Sequence, residues 1–142
     1  MMKLKPVYLF VIIFFLFFSC SEEELKLEIY SPEAFAFQLE NDWELNASAQ
    51  IKGFQQVEEN EKYISKLSYY ANLITPEEEL LQEVDYGMID RESDEKLTDI
   101  QLEIQIILDE SFQEGEYSLQ IFVNDDQSGQ QDSTAVKFKL EN

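Results

Sequence analysis

An all-β sandwich of about seven antiparallel strands is the fold this sequence predicts for residues 25–142. Apolar residues recur there at every second position, the period of half-buried strands. Gly, Pro, Asn and Asp interrupt that period at short intervals, as turns require. No long amphipathic helix pattern competes with it. The net charge of −20 would suit a disordered chain, but 11 Phe and 7 Tyr supply the bulk for a core.

The first strand reads from Leu25, Leu27 and Ile29, alternating with Lys26, Glu28 and Tyr30. Ser31-Pro32-Glu33 interrupts it, and Phe35, Phe37 and Leu39 continue on one face. Asn41-Asp42 makes a turn. Trp43, Leu45, Ala47, Ala49 and Ile51 then face one way, while Glu44, Asn46, Ser48, Gln50 and Lys52 face the other. Gly53 allows a bend. After a polar loop through Glu58–Glu61, the next strand points Leu67, Tyr69, Ala71 and Leu73 inward. Pro76 and Glu77-Glu78-Glu79 break it. Leu80 to Val84 reads as an edge strand in preference to a helical turn, followed by Tyr86, Met88 and Ile89 and a polar loop from Asp90 to Lys96.

The last third alternates most regularly. Ile100, Leu102, Ile104, Ile106 and Leu108 oppose Asp99, Gln101, Glu103, Gln105 and Ile107. Glu114-Gly115 turns into Tyr117, Leu119, Ile121 and Val123, with Ser118, Gln120, Phe122 and Asn124 on the other face. A loop from Asp125 to Asp132 precedes Thr134, Val136, Phe138 and Leu140. The segment Gly115-Glu116-Tyr117-Ser118-Leu119-Gln120-Ile121 resembles the penultimate strand of immunoglobulin-like and fibronectin type III domains. That resemblance implies an immunoglobulin-like sandwich in which Tyr117 forms a tyrosine corner, its hydroxyl reaching upstream backbone. It carries no cysteine pair, and Trp43 opens the second strand region, so the antibody-like subtype is excluded.

Three parts follow along the chain: residues 1–19, 20–24 and 25–142. Lys3 and Lys5 precede an apolar run, Val7 to Phe18, that as a helix would span roughly 18 Å, short of a hydrocarbon core of about 30 Å. A basic start, a short apolar stretch and small Ser19 form the secretory pattern. Leu16-Phe17-Phe18-Ser19-Cys20 resembles the lipobox of bacterial lipoproteins. The resemblance implies a cleaved signal peptide and Cys20 as the lipidated first residue. Ser21-Glu22-Glu23-Glu24 is similar to the surface-export signal of Bacteroidota lipoproteins. It implies an outer-membrane protein facing the cell exterior, with a periplasm-facing tether as the alternative.

Removing Lys3 and Lys5 with the signal peptide deepens the net charge to −22. Such a field repels nucleic acid. Lipidation would consume the one cysteine, so no disulfide is expected. Histidine is absent, which rules out Ser-His-Asp and Cys-His catalysis and histidine metal ligation. Ser65-Lys66 and Ser68 fall in a predicted strand and are poor nucleophile candidates. With 30 acidic residues, carboxylate pairs at glycosidase spacing arise by chance, and enclosure is the scarcer requirement.

Two acidic loops could gather oxygen ligands for calcium: Asn124 to Gly129 with Asp125, Asp126 and Asp132, and the cluster Asp90, Glu92, Asp94 and Glu95. Hydrated hairpin loops are the preferred reading of both. Asn46-Ala47-Ser48 fits an N-glycosylation triplet, and Asp132-Ser133-Thr134 resembles a Bacteroidota O-glycosylation motif. Tyr30, Tyr70 and Phe122 fall opposite their strands' apolar sides and are the candidates for a binding surface. The expected role is a non-catalytic module, without cofactor, that binds another envelope or extracellular protein or glycan. The alternative is a carbohydrate-binding or adhesive surface module, and a small hydrolase ranks third.

Overall fold

A computed structural model describes residues 25–142; the signal-peptide, lipidation and export readings at residues 1–24 lie outside them. Eight strands, β1 (Glu28–Leu39), β2 (Asp42–Lys52), β3 (Val57–Glu59), β4 (Lys62–Ile74), β5 (Leu80–Ser93), β6 (Asp99–Leu108), β7 (Gly115–Asp125) and β8 (Gln131–Leu140), build two antiparallel sheets. One sheet runs β1-β2-β6. In the other, β4 carries β7 and then β8 on one side and β5 on the other, with short β3 at its start. The fold is the β-sandwich that the alternation predicts.

The core lies between the sheets and comes from the alternate residues read as inward. Leu45, Ile51, Leu67, Leu73, Leu119, Ile121 and Val123 are fully buried, and Trp43 and Tyr117 nearly so. Each such side chain contributes roughly 1.5–3 kcal/mol by leaving water. Tyr117 is the tyrosine corner: its hydroxyl donates to the Gln113 carbonyl at 2.7 Å, and its ring stacks on Phe138 with centroids 5.5 Å apart.

The position of β5 follows from the link before it. Thr75–Glu79 closes a tight turn: Thr75 N–H donates to the Glu79 carbonyl, Glu78 N–H to the Thr75 carbonyl, both at 2.9 Å, and Pro76 fixes the bend. A turn this short can only join neighbouring antiparallel strands. β5 therefore sits beside β4, where a constant-type immunoglobulin domain would place its edge strand in the other sheet. The strand runs to Ser93, through residues Asp90–Ser93 expected to be loop. An exposed edge strand needs no apolar alternation, which is why its polarity read as a loop. The Leu80–Val84 reading as edge strand agrees with the structure.

One face assignment is reversed. Phe35, Phe37 and Leu39 do not continue the inward face of Leu27 and Ile29; they are exposed. Ser31 and Pro32 together oppose Ala49 in the β1–β2 ladder, a β-bulge with Ser31 at φ 49°. One extra residue inverts the parity of the strand beyond it. Ala34 and Ala36 then face the core. Gly53, at φ 74°, allows a close crossing: a Cβ there would lie 1.8 Å from the Lys26 carbonyl oxygen.

Candidate binding surface

In the loop read as a calcium candidate, each carboxylate is engaged by hydrogen-bond donors. Asp125 is 1% exposed, and its carboxylate accepts N–H groups from Gln55 at 2.6 Å, Gln127 at 3.0 Å and Ser128 at 3.2 Å. Asp126 accepts from the Ser68 hydroxyl at 2.9 Å, and Asp132 accepts the Ile29 N–H at 2.9 Å. Gln130 adds a bond from the Leu27 N–H. The three carboxylates are thus turned to separate backbone and side-chain donors, and they tie the β7–β8 loop to β1 and to the link after β2. Among the described residues no group of three or more acidic side chains is arranged to hold a metal ion.

The serine–lysine pair is separated by the pleat. Ser65 is buried and its hydroxyl has no partner, whereas neighbouring Lys66 projects outward opposite Asp90. A further pattern, Ser93-Asp94-Glu95-Lys96, spells a Ser-x-x-Lys spacing. There Ser93 Oγ accepts the Glu95 N–H, and the Lys96 ammonium lies 5.8 Å from the centre of the Tyr63 ring. Neither arrangement places an amine against a serine hydroxyl. Asn46 sits on central strand β2, its amide donating to Glu44 at 3.0 Å, and Ser133 stands outward opposite Phe122.

The aromatic candidates divide between the two sheets. Tyr30 lies on the outer face of β1-β2-β6, where its hydroxyl donates to Asp99 at 2.7 Å and Lys52 covers its ring at 4.9 Å. That hydrogen bond, more than burial, holds the Tyr30 phenol above its ordinary pKa. Tyr70 and Phe122 are cross-strand partners on the outer face of the larger sheet, with rings parallel to within 7° and centroids 4.6 Å apart. Non-covalent pairs of this kind hold each other upright on the sheet.

Tyr86 completes the row. It pairs with Tyr70 on β5, so β5-β4-β7 present Tyr86, Tyr70 and Phe122 side by side, and Tyr86 is 72% exposed. Sequence reasoning passed over it because β5 had no assigned face; the buried Ile89, three residues on, is the signal that sets Tyr86 outward. The row below is Met88, Ser68, Asn124 and Gln131, and the row above includes Asn72, Gln120 and Ala135. The paired positions of these rows are uncharged, but two carboxylate residues border them: Asp126 accepts from the Ser68 hydroxyl, and Glu83 donates its N–H to the Asn72 side chain. Further charges stand at the ends, with Lys66 and Asp90 at one and Lys137 at the other. On a chain of net charge −20, a face whose paired positions are uncharged is a departure from the alternating charges of the other strands' outer positions. Aromatic and Met enrichment with charge depletion is the composition of interface centres.

No protein-family model matches the chain, and no curated protein matches it. Among solved structures, a family 123 glycoside hydrolase from Clostridium perfringens is similar over 70% of this chain and 21% of its own length, at 12% identity and a TM-score of 0.48. The chain therefore spans about a fifth of that protein.

Proposed function

We propose that the protein is a non-catalytic binding module of the bacterial cell envelope, anchored by lipid at Cys20, that holds its ligand on the outer face of β5-β4-β7. The row Tyr86–Tyr70–Phe122, flanked by Asn, Gln and Ser at the paired positions, carries the reading. Aromatic faces stack on the apolar side of a sugar ring, and amides and hydroxyls match its hydroxyl groups in both donor and acceptor roles. A neutral glycan is accordingly the first ligand class. Met88, exposed beside Tyr86, favours an envelope protein as the second, because flexible thioethers suit adaptable protein contacts.

The anchoring part of the proposal rests on the Lys3-to-Cys20 pattern, and the outward orientation rests on Ser21-Glu22-Glu23-Glu24. A glycan array probed with the full chain in neutral detergent tests the ligand class. Binding to uncharged glycans that weakens at least about tenfold in Tyr86→Ala supports it, since one aromatic anchor is worth roughly 2 kcal/mol or more. Array signal confined to charged glycans, or unchanged in Tyr86→Ala, contradicts it.

A further inference from the structure

The four long sheet edges among the described residues are unequal. β1 is blunted by the bulge at Ser31-Pro32, and the chain entering it has its Leu27 and Ile29 N–H groups already taken by Gln130 and Asp132. β5 breaks register opposite Ala71–Leu73, with Glu83 at φ 50°, and carries Asp85, Asp90, Arg91 and Glu92. β8 places Lys137 and Lys139 along its length. Bulges, lysines and side-chain capping are the usual guards against an incoming strand. β6 has none of them. It pairs with β2 in unbroken register from Asp99 to Leu108, contains no Pro, Gly, Lys or Arg, and leaves its other edge free.

Open space adjoins that edge toward the second sheet, and a groove crosses the outer face beside it. On the outer face, a groove of about 530 Å³ runs over β2, between Glu33 and Phe35 of β1 and Gln101, Glu103 and Gln105 of β6, with Asn46, Ala47 and Ser48 between them. Toward the second sheet, one of about 450 Å³ is lined by Tyr69, Met88, Arg91, Leu102 and Glu103. Side chains of an added strand alternate between the outer face and the side toward the second sheet. On the outer face the neighbouring positions on β6 are Asp99, Gln101, Glu103, Gln105 and Ile107. The nearest cation of that face, Lys52, is already held by Glu28 at 3.6 Å and by the Tyr30 ring.

We infer that β6 is a docking edge for an extended, basic polypeptide segment, which adds a fourth strand to β1-β2-β6. Its backbone would pair with the free N–H and C=O groups of β6, its outward side chains would be Lys or Arg beside Asp99 and Glu103, and its inward ones apolar against Tyr69 and Met88. This is strand addition, in which main-chain bonds give affinity and alternate side chains give selectivity. Charge selects the occupant: a net charge of −20 opposes a second copy of this chain and favours a cationic partner. The docking edge lies on the other sheet from the aromatic row, and Met88 is the residue the two surfaces share.

The test uses the full chain in neutral detergent and a labelled synthetic peptide of β6's length that alternates Lys and Val. Saturable binding is expected, weakening with added salt, with slowed amide exchange in Asp99–Leu108 and in no other edge strand. The same peptide N-methylated at alternate residues should bind at least about tenfold more weakly, because it cannot complete the ladder. Glu103→Lys should weaken the unmodified peptide similarly. Absence of binding, equal binding of the N-methylated peptide, protection on β5 or β8 instead, or a dimer sealed through β6 without peptide would each overturn the inference.

Discussion

The carboxylate of Asp125 accepts the backbone N–H of Gln55 at 2.6 Å, joining the end of β7 to the link that leaves β2. The same carboxylate closes its own loop through Gln127 and Ser128. A buried charge is tolerated when donors converge on it, and here three backbone donors do so. Asp125→Ala would leave them without a partner, and a destabilisation of about 3 kcal/mol or more is expected. Asp125→Asn should cost less, since one oxygen remains. Denaturant unfolding measures both, and added calcium should leave the wild-type midpoint unmoved.

Tyr117 supports the other end of the sandwich. Truncation to alanine removes a ring packed on Phe138 and Phe112, and losses of roughly 3–5 kcal/mol accompany such changes. Tyr117→Phe removes only the bond to the Gln113 carbonyl, about 1 kcal/mol. Equal small effects in chemical denaturation would contradict the corner's role.

Alkaline pH should expose a third relationship. Burial first, and then the hydrogen bond to Asp85, push the Tyr69 phenol up from 10.0 to about 12. The fold therefore keeps a proton that the unfolded chain gives up first, so stability declines as pH rises from 10.0 to about 12. Tyr30 and Tyr117 are raised in the same direction. Tyr69→Phe should flatten part of that decline while lowering stability at neutral pH by about 1 kcal/mol. Gly87 lies opposite this ring, where a Cβ would come within 2.9 Å of Tyr69 Cε1. An alkaline profile identical in wild type and Tyr69→Phe would remove Tyr69 from the account.

Anchoring is tested at the other end of the chain. Cys20→Ala should move the protein from the membrane to the soluble fraction with its fold intact, because the run Val7–Phe18 is too short to span. Replacing Glu22, Glu23 and Glu24 by alanine should leave stability within about 0.5 kcal/mol. If those residues direct export, protease added to intact cells should digest wild type and spare the triple variant. Equal protection of both would leave the acidic run as a tether only.

Much of the fold was legible because strands with one buried face advertise it. β2, β4, β6, β7 and β8 bury the residues their alternation assigns. β1 escaped because parity after a bulge depends on one inserted residue, and Ser31-Pro32 marks an interruption without saying how many residues it consumes. Small Ala34 and Ala36 took the inward sites where Phe35 and Phe37 were expected. Residues Asp90–Ser93 were misread because exposed edge strands and loops share a polar composition. Asp125, Asp126 and Asp132 looked alike in sequence, yet the loop turns each toward a different donor. At the binding surface, the outward placement of Tyr70 and Phe122 followed from period two, whereas their union with Tyr86 needed the β4–β5 register.

The central claim is that Tyr86, Tyr70 and Phe122 form the contact surface, and site-specific photocrosslinking in intact cells tests it most directly. A photoreactive phenylalanine analogue at position 86 changes an exposed side chain, so the fold should be unaffected. The same analogue at position 48 or 50, on the outer face of the other sheet, serves as the comparison. The account predicts a discrete crosslinked product, protein or glycan, from position 86 that disappears in the Phe122→Ala background and is absent from positions 48 and 50. No product from position 86, or the same product from all three positions, would contradict it.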